Sequence, residues 1–141
     1  METIEIIYRF ILAAILGGII GTERSFFKKQ AGLRTFALVS LGACLFGYLG
    51  YKLSFIDPTS TSRIISNLVV GIGFLGAGLI FLHEEKIFGL TTAAALWTTA
   101  AIGGAVGLGY YFEAFLVTIL TIIILTLWYY FEKLIKKDED R

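Results

Sequence analysis

"IFGLTTAAALWTTAAIGGAVGLGYYF", Ile87–Phe112, contains no charged side chain, and neither does "AFLVTILTIIILTLWYYF", Ala114–Phe131, which follows directly after Glu113. An α-helix rises 1.5 Å per residue, so about 20 apolar residues cross the ~30 Å hydrocarbon core of a bilayer. Two such runs in succession read as membrane spans. The rest of the chain agrees: 57% of its residues are hydrophobic and 16% are charged, against about 25% charged in a soluble domain. The 141 residues suffice for one domain.

Working outward from this stretch, the apolar runs divide into five helices, at about Ile4–Thr22, Leu33–Leu53, Arg63–Leu82, Leu90–Leu108 and Phe112–Leu134. The links are "ERSFFKKQAG" (23–32), "SFIDPTSTS" (54–62), "HEEKIFG" (83–89) and the tight "GLGYYFE" (107–113). Pro58 and its polar neighbours make the clearest break. Residues 1–134 form a transmembrane domain, and 135–141 a short charged tail. "METIEIIYRF" has two early glutamates where a cleavable signal peptide has a basic segment.

Lys and Arg accumulate on the cytoplasmic side of membrane proteins. Arg24, Lys28, Lys29 and Arg34 flank the first link, Lys86 lies in the third, and Lys133, Lys136, Lys137 and Arg141 lie in the tail. Five spans put all of these on one side and leave Lys52 and Arg63 on the other. The N-terminus is therefore expected outside and the C-terminus in the cytoplasm. Net charge is +1, which gives no case for a nucleic-acid partner.

Helices in lipid associate by close packing, and small residues let backbones approach. Ala13, Gly17 and Gly21 lie on one face of helix one; Ala43, Gly47 and Gly50 on one face of helix two; Gly103 and Gly107 on helix four. Helix three carries "GIGFLGAGLI" (71–80), with Gly71, Gly73, Gly76, Ala77 and Gly78. Helix five has no glycine, and its Ile and Leu side chains suit lipid contact. The expected fold is an all-α integral membrane protein of about five transmembrane helices. Helices one to four pack tightly through Gly/Ala faces and helix five is peripheral. Trp128, Tyr129 and Tyr130 form an aromatic belt near the cytoplasmic interface.

Gly71, Gly73 and Gly76 also spell G-x-G-x-x-G. A dinucleotide fingerprint needs a preceding strand and an acid about 20 residues on. Here that region is "AALWTTAAIGG", with no acid. No cofactor is implied. The glycines serve helix packing, or packing together with a backbone-lined path of the kind that broken helices form in transporters.

Polar residues inside a bilayer are costly and so are candidates for function. Glu5 and Arg9 lie four apart and can pair, or snorkel to the outer interface. Glu23, Arg24 and Arg34 converge on the first link as a salt-bridge cluster, either a structural staple or a site for an ion or acidic group; Thr35 adjoins it. Arg63 and Asn67 share a face of helix three with Gly71. Thr91 and Thr92 start helix four and can cap its free amides. Trp97 needs a partner for its indole N–H. His83 and Glu84, with Glu85, are weak candidates for a metal, because consecutive residues on a helix diverge. Cys44, the single cysteine, reads as a small core residue. One histidine and no nucleophile set leave little room for acid–base catalysis, so an enzyme is not expected.

"LGGIIGTERSFFKKQAGLRTFALVSLGACLF" (16–46), "GIGFLGAGLI" (71–80) and "GLTTAAALWTTAAIGGAVGLG" (89–109), in this order, resemble the MgtC/SapB family of small bacterial inner-membrane proteins. The family pattern falls on Gly21, Glu23 and Arg24; on Ala31 through Thr35; on Arg63; on Gly71 and Gly73 through Gly78; and on Gly89 through Ala94 with Trp97. The resemblance implies a role in magnesium homeostasis, virulence association, and restraint of the F-type ATP synthase as a membrane partner. Membrane lipid is a further expected partner, small-residue faces also suit a homodimer, and Mg²⁺ is a candidate ligand or substrate. The alternative is a transporter or channel for a cation such as Mg²⁺ or a small solute. Phe88 stands where the family often has Arg, the "DPTSTSR" link is slightly long, and "EKLIKKDEDR" stands where many relatives carry a soluble domain.

Overall fold

The structure, a computed structural model, describes residues 2–139; the side chains of residues 2, 128 and 131–139 lie outside the described set. The Trp128 part of the expected belt and the basic tail side chains fall there.

Five helices form: α1 (Glu2–Phe26), α2 (Leu33–Ser54), α3 (Ser60–Ala77), α4 (Leu90–Leu108) and α5 (Tyr111–Glu139). Among the described residues, the first four are long and apolar enough to cross a bilayer, and α5 is apolar over Tyr111–Leu127. Short links make sequential helices antiparallel. The links α2–α3 and α4–α5 therefore lie at one end of the bundle, here called the tyrosine end. The link α1–α2 and the approach to α4 lie at the other, the Glu23 end.

Helix α4 is the most buried of the membrane-length helices. Thr99, Val106, Ile102 and Leu96 are all but inaccessible, as are Ile20 of α1 and Phe36, Ser40 and Cys44 of α2. Glycine sets how closely these three helices meet. A Cβ on Gly103 would stand 2.0 Å from the carbonyl oxygen of Ser40, and one on Gly107 2.2 Å from that of Cys44. From α1, a Cβ on Gly17 would meet the Phe36 carbonyl oxygen of α2 at 2.6 Å and the Ser40 Cβ at 2.5 Å. So α2 is clamped between α1 and α4 with its backbone against both, the short-range packing that replaces a hydrophobic driving force in lipid. Helix α5 packs on α4 and α1, and turns Phe115, Leu120 and Ile124 outward.

Several boundaries differ from the sequence expectation: α1 runs on to Phe26 in place of Thr22, α5 runs on to Glu139, so that residues 135–139 of the expected tail are helical, and α3 shifts at both ends. Helix α3 starts earlier, at Ser60, because Asp57 accepts hydrogen bonds from the Thr59 amide (2.9 Å) and hydroxyl (2.8 Å), an Asx turn that orders the entry. It also ends earlier, at Ala77 in place of Leu82. Beyond it, β1 (Phe81–His83) and β2 (Lys86–Phe88) pair antiparallel, with Phe81 opposite Phe88 and His83 opposite Lys86. Phe81 and Phe88 stack at 5.5 Å. Glu84 and Glu85 form the two-residue turn with φ of 47° and 63°. Positive φ at both turn positions suits the right-handed twist of a hairpin, but the usual residues there are Asn and Gly. Gly89, at φ 88°, then turns the chain into α4, and any Cβ there would strike the Leu79 carbonyl at 1.8 Å.

Candidate functional site

At the Glu23 end, Arg24 is buried and forms a two-pronged pair with its neighbour Glu23, Nε to Oε2 and Nη2 to Oε1 (2.5 Å). Arg34 and Thr35 start α2 nearby, yet both are exposed. The expected three-residue cluster is therefore a Glu23–Arg24 pair with Arg34 standing apart. The start of α2 is held by Ser25 Oγ, which accepts from the Leu33 amide at 2.9 Å. Thr92 is buried and donates to Gln30 Oε1 at 3.3 Å, tying the first link to α4. No side chain caps α4, whose N-cap is Gly89, so the capping expected of Thr91 and Thr92 is not formed; Thr91 is exposed.

Arg63 and Asn67 lie toward the other end of the bundle and do not join this group. Arg63 is exposed and approaches Asp57 at 3.9 Å. The Thr59 amide and hydroxyl hold the Asp57 carboxyl below the usual aspartate range. Asn67 and Gly71 share one groove of about 480 Å³ between α2 and α3, with Phe46 and Leu75 in its walls. Trp97 is half exposed and lines a second groove of about 280 Å³ between α3 and α4, in which Glu113 is the charged residue.

The glycines of α3 behave unlike those of α1, α2 and α4. A Cβ on Gly71 or Gly73 would meet nothing within 4 Å, and one on Gly76 would touch the Ala93 Cβ at an ordinary 3.7 Å. Ala77 and Gly78 are exposed. Together with Phe74, 82% exposed, they form an outward face. His83 and Glu84 approach at 3.9 Å on the exposed hairpin. Among the described residues no group of three or more His, Cys, Asp or Glu is placed to hold a metal.

A second polar centre lies at the tyrosine end, where the sequence shows the Glu5–Arg9 pair but not the groups of α2, α4 and α5 that gather on it. Arg9 is nine-tenths buried. Its Nη1 donates to the Gly107 carbonyl at 2.7 Å and its Nη2 to Glu5 Oε1 at 2.5 Å. The guanidinium carbon lies 5.7–5.9 Å from the rings of Tyr48, Tyr51 and Tyr111, within cation–π range. The expected Glu5–Arg9 pair forms, but Arg9 turns inward to a partner on α4. The usable signal is an arginine one turn inside an apolar span in a chain with tyrosines near three other helix ends.

Comparison with known proteins places this architecture. The MgtC family profile matches residues 10–134. The "Putative magnesium transporter YhiD" of Escherichia coli K12 is 42% identical over 134 residues, covering 90% of this chain and 62% of that protein. "Protein MgtC" of Salmonella typhimurium is 43% identical over 124 residues, 85% of this chain and 52% of its own length. "Protein MgtC" of Brucella abortus is 43% identical over 112 residues, 79% and 46% respectively. The chain thus spans about half to three-fifths of the curated relatives it matches. No solved structure matches. Five helices, the Glu23–Arg24 pair, the small-residue face of α3 and these matches all lie within one frame: the chain belongs to the MgtC family.

Proposed function

We propose that this protein serves magnesium homeostasis in the bacterial inner membrane by binding and regulating a membrane partner. One observation carries the reading. The seam between α1, α2 and α4 is closed by backbone contact, whereas the small-residue face of α3 is open to the outside. Close-packed helices leave no room for a hydrated cation, and Mg²⁺ sheds its water reluctantly. The open side of α3, where Gly71 and Gly78 on one flank and Gly73 and Ala77 on the other border the exposed Val70 and Phe74, is a surface on which a second transmembrane helix can pack. The magnesium link rests on the name of the Escherichia coli relative. The basic first link and tail support an outside N-terminus and a cytoplasmic C-terminus across multiple spans. The F-type ATP synthase, implied by the family resemblance, is the candidate partner. The protein acts without catalysis, consistent with its single histidine.

The second reading is transport, favoured by that relative's name and by charges buried within spans, Arg9 and Arg24. Two measurements separate the readings. Purified protein in liposomes should pass no more Mg²⁺ than empty liposomes, and Gly71→Leu should lose a co-purifying membrane complex while staying folded. Flux that depends on the protein, with co-purification unchanged by Gly71→Leu, would establish transport instead.

A further inference from the structure

A pocket of about 110 Å³ opens at the tyrosine end, lined by Glu5, Arg9, Tyr48, Tyr51 and Lys52 with Ile6. Its chemistry is set by Arg9. The residue is nine-tenths buried, with Nη1 fixed on the Gly107 carbonyl and Nη2 on Glu5, so its charge is held in place at the pocket wall. Lys52 adds a second cation. Its Nζ lies 5.8 Å from the Tyr48 ring, and the Arg9 guanidinium carbon lies 5.9 Å from that same ring. Among the described residues Lys52 has no acidic partner within ion-pair distance, whereas Glu5 is engaged by Arg9.

We infer that this pocket binds a singly charged phosphodiester, supplied by an anionic phospholipid headgroup or by a soluble diester. Charge selects the class. Arg9 and Lys52 against Glu5 leave one net positive charge, which one phosphodiester neutralises. A doubly charged monoester would leave the pocket net negative beside Glu5. Size agrees: a liquid-water volume of about 30 Å³ makes the pocket three to four waters large, enough for a phosphate group with glycerol and acyl chains outside. Position agrees as well. Tyr8 and Tyr110 lie exposed at the same end as Tyr48 and Tyr51, and tyrosine concentrates at the level of lipid headgroups. The inference is independent of whether the protein regulates a partner or transports an ion.

The test uses the full chain, stripped of lipid in mild detergent. Four probes are added: phosphatidylglycerol, phosphatidylethanolamine, the soluble diester glycerophosphoglycerol, and inorganic phosphate. Native mass spectrometry counts retention, and thermal unfolding reads stabilisation. Phosphatidylglycerol should be retained at least five-fold over phosphatidylethanolamine, whose ammonium adds positive charge beside Lys52. Lys52→Gln should remove that preference. Glu5→Gln should strengthen it by removing the competing carboxylate, an increase that a misfolded variant cannot imitate. Retention of glycerophosphoglycerol on the same residues supports the site with a soluble source. Equal retention of the two lipids, indifference to both substitutions, or tighter binding of inorganic phosphate than of either diester overturns the inference.

Discussion

Arg9 of α1 and Gly107 of α4 are 98 residues apart and joined by a 2.7 Å hydrogen bond from Nη1 to the Gly107 carbonyl. That carbonyl lies in the last turn of α4, just before Gly109 closes the helix in the left-handed region at φ 92°. Free carbonyls at a helix C-terminus carry partial negative charge, and a cation there is stabilising. The guanidinium thus serves as a cap delivered from another helix. A hydrogen bond to a charged group is worth about 1.5–3 kcal/mol. Arg9→Met should therefore lower stability by about 2 kcal/mol, read as a fall in Tm in detergent. Arg9→Lys should fall between, since it keeps the charge but loses the fork. An unchanged Tm in Arg9→Met would remove this tie from the account of the fold.

The glycines offer a sharper comparison. Gly103→Ala sets a methyl 2.0 Å from the Ser40 carbonyl, a backbone atom that cannot rotate away. Helices α2 and α4 must separate, which should cost about 3 kcal/mol, at the upper end of overpacking penalties. Gly71→Ala meets open space and should stabilise by up to about 1 kcal/mol through helix propensity alone. Thermal unfolding of both variants in one detergent checks the ranking. A destabilised Gly71→Ala would mean that this face is already packed in the purified protein.

The five helices and their faces are legible because charge is so sparse: every link is marked by charged or turn-forming residues, and the glycine spacing on α1, α2 and α4 falls on the faces that meet. On helix three, Gly71 and Gly73 meet nothing and Gly76 makes only an ordinary contact with Ala93, since a single helix cannot show which of its faces has a neighbour. The hairpin is hidden for a related reason. Ile80, Phe81, Ile87 and Phe88 continue an apolar run, and Glu84–Glu85 lacks the Asn–Gly signal that announces a tight turn. Arg9 is visible as a charge, but its acceptor is a backbone atom on a distant helix, which no local pattern encodes. Glu23, Arg24 and Arg34 are visible as a group; which two pair depends on the path of the link.

The hairpin turn stores strain. Left-handed backbone costs a non-glycine residue about 1–2 kcal/mol, and both Glu84 and Glu85 adopt it. Replacing the pair with Asn–Gly should stabilise the hairpin by about 1–2 kcal/mol, visible as slower amide exchange at His83 and Lys86, the hydrogen-bonded pair that flanks the turn. Loss of function in that variant without loss of stability would assign the two carboxylates a role outside the turn.

Asp57 supplies a pH dependence. Its carboxyl is held below the ordinary range by the Thr59 amide and hydroxyl, with Arg63 adding a smaller contribution. A group whose pKa is depressed on folding stabilises the fold above its unfolded value, near 3.9, and that stability is lost as pH falls through the folded pKa. Between pH 5 and 3 the wild type should lose more Tm than Asp57→Asn does. Parallel curves would mean that the turn persists with the carboxyl protonated.

Arg34→Ala and Glu23→Ala separate structure from function at the other end of the bundle. Arg34 is exposed and outside the Glu23–Arg24 pair, and surface substitutions of this kind change stability by about 0.5 kcal/mol or less. Arg24 is buried, so Glu23→Ala leaves an uncompensated guanidinium, a loss of about 3–5 kcal/mol. Glu23→Ala should therefore reduce folded protein in the membrane, whereas Arg34→Ala should insert and unfold like the wild type. If Arg34→Ala also loses the co-purifying membrane complex, the free guanidinium belongs to the partner surface. If it retains the complex, recognition lies with the open face of α3 alone, and the Gly71→Leu variant becomes the decisive one.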